Sequence, residues 1–208
     1  MIGLGDASLF VAASVALALA PGPDNLFVLT QSALHGRRAG LLVTLGLCTG
    51  LLVHTAAVAL GAAAVLATSA LAFTTLKLVG AGYLLYLALG AFRAGAEPLP
   101  ASGAPSADGW RLYRRGIVMN VTNPKVAIFF LAFLPQFTDP ARGGVAVQVM
   151  LYGALFIVSA LAVFSAIAWG AGLIGGWLRR TPRAQVIMNR VAGAVFVALA
   201  LRLAGATR

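Results

Sequence analysis

The stretch ALALAPGPDNLFVLT, Ala16 to Thr30, sets two prolines, a glycine and a carboxylate in the middle of an apolar run that extends from Leu4 to Leu34. Pro21 and Pro23 lack amide donors and crowd the turn before them, and the residue ahead of each proline is pushed out of the helical region. A helix entering at Leu4 therefore breaks here and frees backbone carbonyls inside an apolar segment. In lipid such groups persist only where they are buried in protein or line a wet cavity. Asp24 adds an ionisable side chain at the same depth, which in a membrane segment marks a functional-site candidate. The second half repeats the device in altered form. Asn120-Val121-Thr122-Asn123-Pro124-Lys125, followed by the apolar run Val126 to Phe137, again combines a proline with a charge.

Composition places these breaks in a membrane protein. The 208 residues are 61% hydrophobic and 10% charged, against about 25% charged in soluble domains, and the mean hydropathy is +0.95. The formal net charge of +10 comes from basic residues in short segments between apolar runs. That pattern fits anionic lipid headgroups, not the clustered basic face that nucleic acid requires. Cys48 is the single cysteine, so an internal disulfide and a cysteine-based metal site are excluded, and its apolar surroundings suit packing. The first residues carry Asp6 and no Lys or Arg, unlike a cleavable signal peptide, so the first apolar segment is expected to remain as a span.

Counting about 20 apolar residues per span gives six. Leu4 to Leu34 is the first, and Ala39 to Ala94 holds two, divided at Thr68-Ser69 and Thr74-Thr75. Gly95 to Trp110, rich in proline, serine and glycine, reads as a hydrophilic linker. The fourth span runs from Gly116 to Phe137 with its break near Pro124. Val145 to Trp177 is one long span, expected to loosen around Gly170, Gly172 and Gly175, and Ala184 to Leu203 is the sixth. The domain reading is residues 1–94 as one three-helix repeat, 95–113 as a connecting linker and 114–208 as a second three-helix repeat.

Loops one, three and five hold Arg37, Arg38, Arg93, Arg111, Arg114, Arg115, Arg179, Arg180 and Arg183, nine basic residues against four (Lys77, Arg142, Arg202, Arg208) on the opposite side. Basic loops stay in the cytoplasm, so both termini are expected outside. Three spans per half is an odd number, so the second half enters the membrane from the opposite side, the arrangement of an inverted repeat. Sliding Pro23 onto Pro124 superposes Asp24 on Lys125. Few other letters match, and the repeat rests on the paired breaks and on span parity.

Two symmetry-placed breaks, each with its own charge, favour a binding site over simple proline kinks, given what an intramembrane charge costs. The candidates are Pro21, Gly22, Pro23, Asp24 and Asn25 in the first break and Asn120, Asn123, Pro124 and Lys125 in the second. Asp24 and Lys125 either neutralise one another across the repeat interface or meet a substrate. The amides of Asn25, Gln31, Asn120, Asn123 and Gln136 are expected to satisfy freed backbone groups or substrate, because an unpaired amide in hydrocarbon is costly. His54 closes a ladder of small residues, Gly46, Gly50 and His54 at four-residue spacing. Packing explains the glycines, and His54 is either an interhelical hydrogen-bonding residue or a titratable group reached by protons. Tyr83 and Tyr86 face either a cavity or lipid. No metal cluster, nucleophile and base pair, phosphate loop or paired carboxylates occur, and no cofactor is expected. The residues alone leave open a transporter, a small-solute channel and a structural membrane subunit.

At these positions the chain resembles the LysE/RhtB family of amino-acid exporters. The matching features are Pro21-Gly22-Pro23-Asp24, Gly36-Arg37-Arg38-Ala39-Gly40 with the glycines up to His54, Lys77-Leu78-Val79-Gly80-Ala81-Gly82-Tyr83-Leu84, and Asn120-x-x-Asn123-Pro124-Lys125 with Phe129-Phe130. The likeness covers residues 10 to 140 and is general beyond them. It implies a proton-driven exporter of an amino acid or close derivative in a bacterial inner membrane; the residues themselves offer Asp24 and His54 as proton-coupling candidates. The family's range of substrates on one scaffold does not single one out, and the glycine-rich faces permit a homodimer without requiring it.

Overall fold

A computed structural model describes residues 2–68, 70–95 and 108–205. Among the described residues every regular element is helical: α1 (Leu4–Leu19), α2 (Pro23–His35), α3 (Arg37–Thr68), α4 (Ala70–Arg93), α5 (Gly109–Val121), α6 (Pro124–Ile128), α7 (Val145–Arg180) and α8 (Pro182–Gly205). After α6 the chain continues through a π-helical turn, Phe129–Phe133, and two 3-10 turns, Leu134–Phe137 and Pro140–Arg142. The lengths follow from composition. α3, α7 and α8 are each long and apolar enough to cross a membrane, and counting each bent pair, α1 with α2 and α5 with α6, as one span raises the number to five.

The first break bends the chain by 59° and the second by 49°. Ala20 and Gly22, each ahead of a proline, take ψ values of 124° and 177°, the extended conformation that the proline ring imposes. Between α2 and α3 a single residue turns the chain, Gly36 at φ 85°, a left-handed conformation that a side chain would strain. The second apolar stretch divides at the first part of the polar cluster, with α3 ending at Thr68 and α4 starting at Ala70, while Thr74 and Thr75 fall inside α4; Ser69 lies outside the described residues.

Two boundaries differ from the sequence reading. α5 starts at Gly109, within the segment assigned to the linker and seven residues ahead of Gly116, because Asp108 caps it: its carboxylate accepts from the Trp110 amide at 3.0 Å. Most of the linker, residues 96–107, lies outside the described residues. α7 runs to Arg180 as one unbroken helix through Gly170, Gly172 and Gly175. Helix interiors tolerate glycine when neighbouring turns hold the backbone, and no proline is present to remove a bond.

Packing relies on close backbone approach more than on bulk, as expected where lipid supplies no hydrophobic force between helices. α3 crosses α5 at glycines. A Cβ on Gly46 would overlap the Tyr113 carbonyl, one on Gly116 would lie 2.7 Å from the Val43 carbonyl, and one on Gly50 would lie 2.8 Å from Asn120 Cβ. α4 packs on α8, α3 on α7, and α7 also takes α1 and α2. Leucines and valines such as Leu4, Leu60, Val79 and Val158 are exposed, the distribution of a surface that faces lipid.

One end of the bundle is filled with rings. Phe10 packs on Tyr152 at 4.9 Å and Phe137 at 5.1 Å, and Phe129 and Phe130 meet Phe156 at 5.3 and 5.0 Å. Above them Arg142 joins Asp6 and Asp139, each at 3.1 Å. The start of α1 and the turn before α7 therefore lie at one end. At the opposite end the Asn189 amide donates to the Ala94 and Gly95 carbonyls, tying α8 to the end of α4.

Candidate functional site

The two breaks meet, and each supplies what the other lacks. The last carbonyls of α1 have no partner within their own helix and need donors from elsewhere in the chain. The Lys125 ammonium, buried on the other break, donates to the Leu17 carbonyl at 3.1 Å and the Ala20 carbonyl at 3.0 Å. The third carbonyl, Ala18, accepts from the Asn25 amide. In the reverse direction Asp24, in the first turn of α2, accepts from Asn123 Nδ2 at 3.0 Å and Asn120 Nδ2 at 3.2 Å. A carboxylate in a helix's first turn is also favoured by the helix dipole.

Asn123 does two jobs. Its amide nitrogen holds Asp24, and its Oδ1 caps α6 by accepting the Lys125 amide at 3.0 Å. The α6 N-terminus and the Asp24 carboxylate are thus fixed by one side chain. Gly22 has a spatial reason: a Cβ there would come within 3.2 Å of the Lys125 ammonium. Phe196 of α8 places its ring 6.0 Å from the same ammonium.

Asp24 and Lys125 form no direct ion pair, since each is occupied by polar groups of the opposite break. Their charges compensate at longer range. An ammonium has three donors, and the two carbonyls take two of them. The remaining donor belongs to a side chain that lines a cavity of about 840 Å³ beneath the breaks.

That cavity is lined by Pro21, Gly22, Pro23 and Asn25 of the first break and Asn123, Pro124 and Lys125 of the second. Seven of the nine sequence candidates therefore share one wall. Asp24 and Asn120 do not reach it; Asp24, 2% exposed, lies behind the asparagine amides. His54 lies on that hidden side. Its Nε2 is 3.1 Å from the Asn120 carbonyl, which can only accept, so Nε2 carries a hydrogen, and its ring lies against Phe130.

The flanking amides divide. Asn25, Asn120 and Asn123 meet the other break or its carbonyls, Gln136 donates within its own turn to Ala132 at 3.4 Å, and Gln31 is half-buried on α2. Two side-chain oxygens near the breaks, Asn25 Oδ1 and Asn120 Oδ1, are buried without a partner. Tyr83 and Tyr86 both line the cavity, Tyr83 half-buried and Tyr86 at its exposed edge. Sequence reading missed Leu26, Leu29, Met188, Asn189 and Phe196 as cavity residues. They carry no motif and come from two helices far apart in sequence, α2 and α8.

The family profile of LysE type translocators matches residues 15–207. A homoserine/homoserine lactone efflux protein of Salmonella typhimurium is 34% identical over 198 residues, covering 95% of both chains. An uncharacterized membrane protein of Pseudomonas aeruginosa is 32% identical, covering 99% of this chain and 98% of its own, and a third from Vibrio cholerae is also 32% identical over 95% of each chain. No solved structure is found to be similar. A multi-pass membrane chain that matches a translocator family over nearly its full length, beside a relative named for efflux, stands with transporters and not with enzymes. The chain belongs to the LysE type translocator family.

Proposed function

We propose that this protein is a secondary active exporter of an amino acid or a close derivative, driven by proton antiport across a bacterial inner membrane. The observation that carries the proposal is the exchange across the breaks, with the Lys125 ammonium on carbonyls of the first and the Asp24 carboxylate on amides of the second. A substrate carboxylate takes the third Lys125 donor and competes with the Leu17 and Ala20 carbonyls for the rest. Protonation of Asp24 removes the negative charge from the acceptor, so the two charge-assisted bonds from Asn120 and Asn123 across the breaks weaken. Proton and substrate thus act on two sets of bonds at one junction, which is sufficient to couple their movements. His54, bonded to the Asn120 backbone, is the group through which a proton reaches Asp24 from the hidden side.

The architecture we assign to this cycle is a six-span, three-plus-three inverted repeat, with α4 (24 residues) as the remaining span and α1–α2 and α5–α6 as the broken ones. Packing supports it. Exchanging the halves converts the α3–α5 contact into α7–α1 and maps α3–α7 and α4–α8 onto themselves, and all four contacts occur. The basic loops orient both termini outside, so the cavity, which reaches Ala94, Gly95 and Asn189, opens toward the cytoplasm. Repeat rocking around a fixed central site then releases substrate outward. The ring cluster around Phe10 and Phe129 fills the outer half, which favours a closed transporter state over a continuous pore.

Reconstituted in proteoliposomes, the protein should move a labelled amino acid saturably against its gradient when a pH difference is imposed, and a protonophore should abolish accumulation. Conductance without saturation would establish the channel reading instead.

A further inference from the structure

Resting on the exporter reading, we infer that the cavity takes an amino acid with one carboxylate and an extended apolar side chain, and that it excludes dibasic amino acids. Away from the breaks its wall is mostly apolar, with Leu26 and Leu29 of α2, Leu87 of α4, and Met188 and Phe196 of α8 set among the polar Tyr83, Tyr86, Gln185 and Asn189. Its volume of about 840 Å³ lies in the upper part of the range of about 300–1,000 Å³ for small-molecule sites. A long side chain therefore has both room and apolar surface.

Charge sets the other limit. Among the described lining residues there is no Asp or Glu, and the one basic side chain is Lys125. A substrate carboxylate finds its counter-charge there. The single ammonium of a zwitterion lies beside its own carboxylate, which compensates its charge within the same molecule. A second ammonium, at the end of a side chain, would leave water with no carboxylate to meet it, and burying a charge without a partner is prohibitive. The approach adds to this. Arg93, Arg183 and Arg190, all exposed, stand in the chain beside cavity residues Ala94, Gln185 and Asn189. They attract carboxylates and repel extra cations.

The test is competition binding to the purified protein in nanodiscs with a graded series: alanine, 2-aminobutyrate, norvaline, norleucine and lysine. Each added methylene should tighten binding about fourfold up to norleucine. Lysine, which extends norleucine by an ammonium, should bind at least about a hundredfold more weakly than norleucine, given the cost of the unpaired charge. Gly90 lines the cavity, and a Cβ there meets nothing within 4 Å. Gly90→Leu should therefore flatten the chain-length series without unfolding the protein, whose thermal transition serves as the control. A flat series in the wild type, or lysine binding within a few-fold of norleucine, would overturn the inference while export of amino acids still stood. If no member of the series binds and none is exported, the exporter reading falls with it.

Discussion

The two breaks look like copies of one device, yet they are opposites. The first, Leu19 to Pro23, has two prolines and no side-chain cap, and it presents bare carbonyls and a carboxylate. The second, Val121 to Pro124, has one proline and an asparagine cap, and it presents amide donors and an ammonium. Each is incomplete alone: carbonyls freed in lipid need donors, and a buried ammonium needs acceptors. The poor letter-for-letter match between the halves has a physical reason in this complementarity. Two identical breaks would face acceptor to acceptor.

The comparison breaks most severely at Lys125. Lys125→Met strips the Leu17 and Ala20 carbonyls of their donor; hydrogen bonds to a charged group are worth about 1.5–3 kcal/mol each, so transport should fall by about a hundredfold or more in vesicles holding equal amounts of protein. A smaller effect is expected where the second break leans on α3. Gly50→Ala drives a Cβ to 2.8 Å from Asn120 Cβ, and overpacking of this kind costs about 1–3 kcal/mol. Thermal denaturation should show the loss, and transport should fall less than in Lys125→Met. The least effect belongs to the far end of α1. Asp6→Asn removes the carboxylate charge from an exposed pair with Arg142, a type of pair worth about 0–1 kcal/mol; transport and the denaturation midpoint should stay close to the parent values. A large effect at Asp6 would move the critical contact away from the breaks.

Much of this arrangement was legible in the sequence, for identifiable reasons. Proline imposes its break locally, so both breaks fall where Pro21, Pro23 and Pro124 stand, and the division of α3 from α4 follows the polar cluster near Thr68. The start of α5 was obscured because Asp108, a capping residue, sits at the end of a proline- and serine-rich stretch that reads as linker throughout. The hidden position of Asp24 was not legible at all. A carboxylate beside a break reads as a cavity residue, and only the crossing of α2 with α5 shows that asparagine amides stand in front of it. Tyr83, Tyr86 and Phe196 were undecided or missed because helix periodicity does not distinguish a lipid face from a cavity face when both are apolar.

The proposed coupling has a proton on Asp24 and substrate at Lys125 acting on two sets of bonds at one junction between the breaks. It is tested most directly by comparing wild type with Asp24→Asn in proteoliposomes, measuring both exchange and pH-driven accumulation of the same labelled amino acid. Asp24→Asn should lose accumulation and its dependence on the pH difference, while residual exchange at equilibrium persists at a reduced rate. Accumulation by Asp24→Asn to the wild-type level, still abolished by a protonophore, would contradict it.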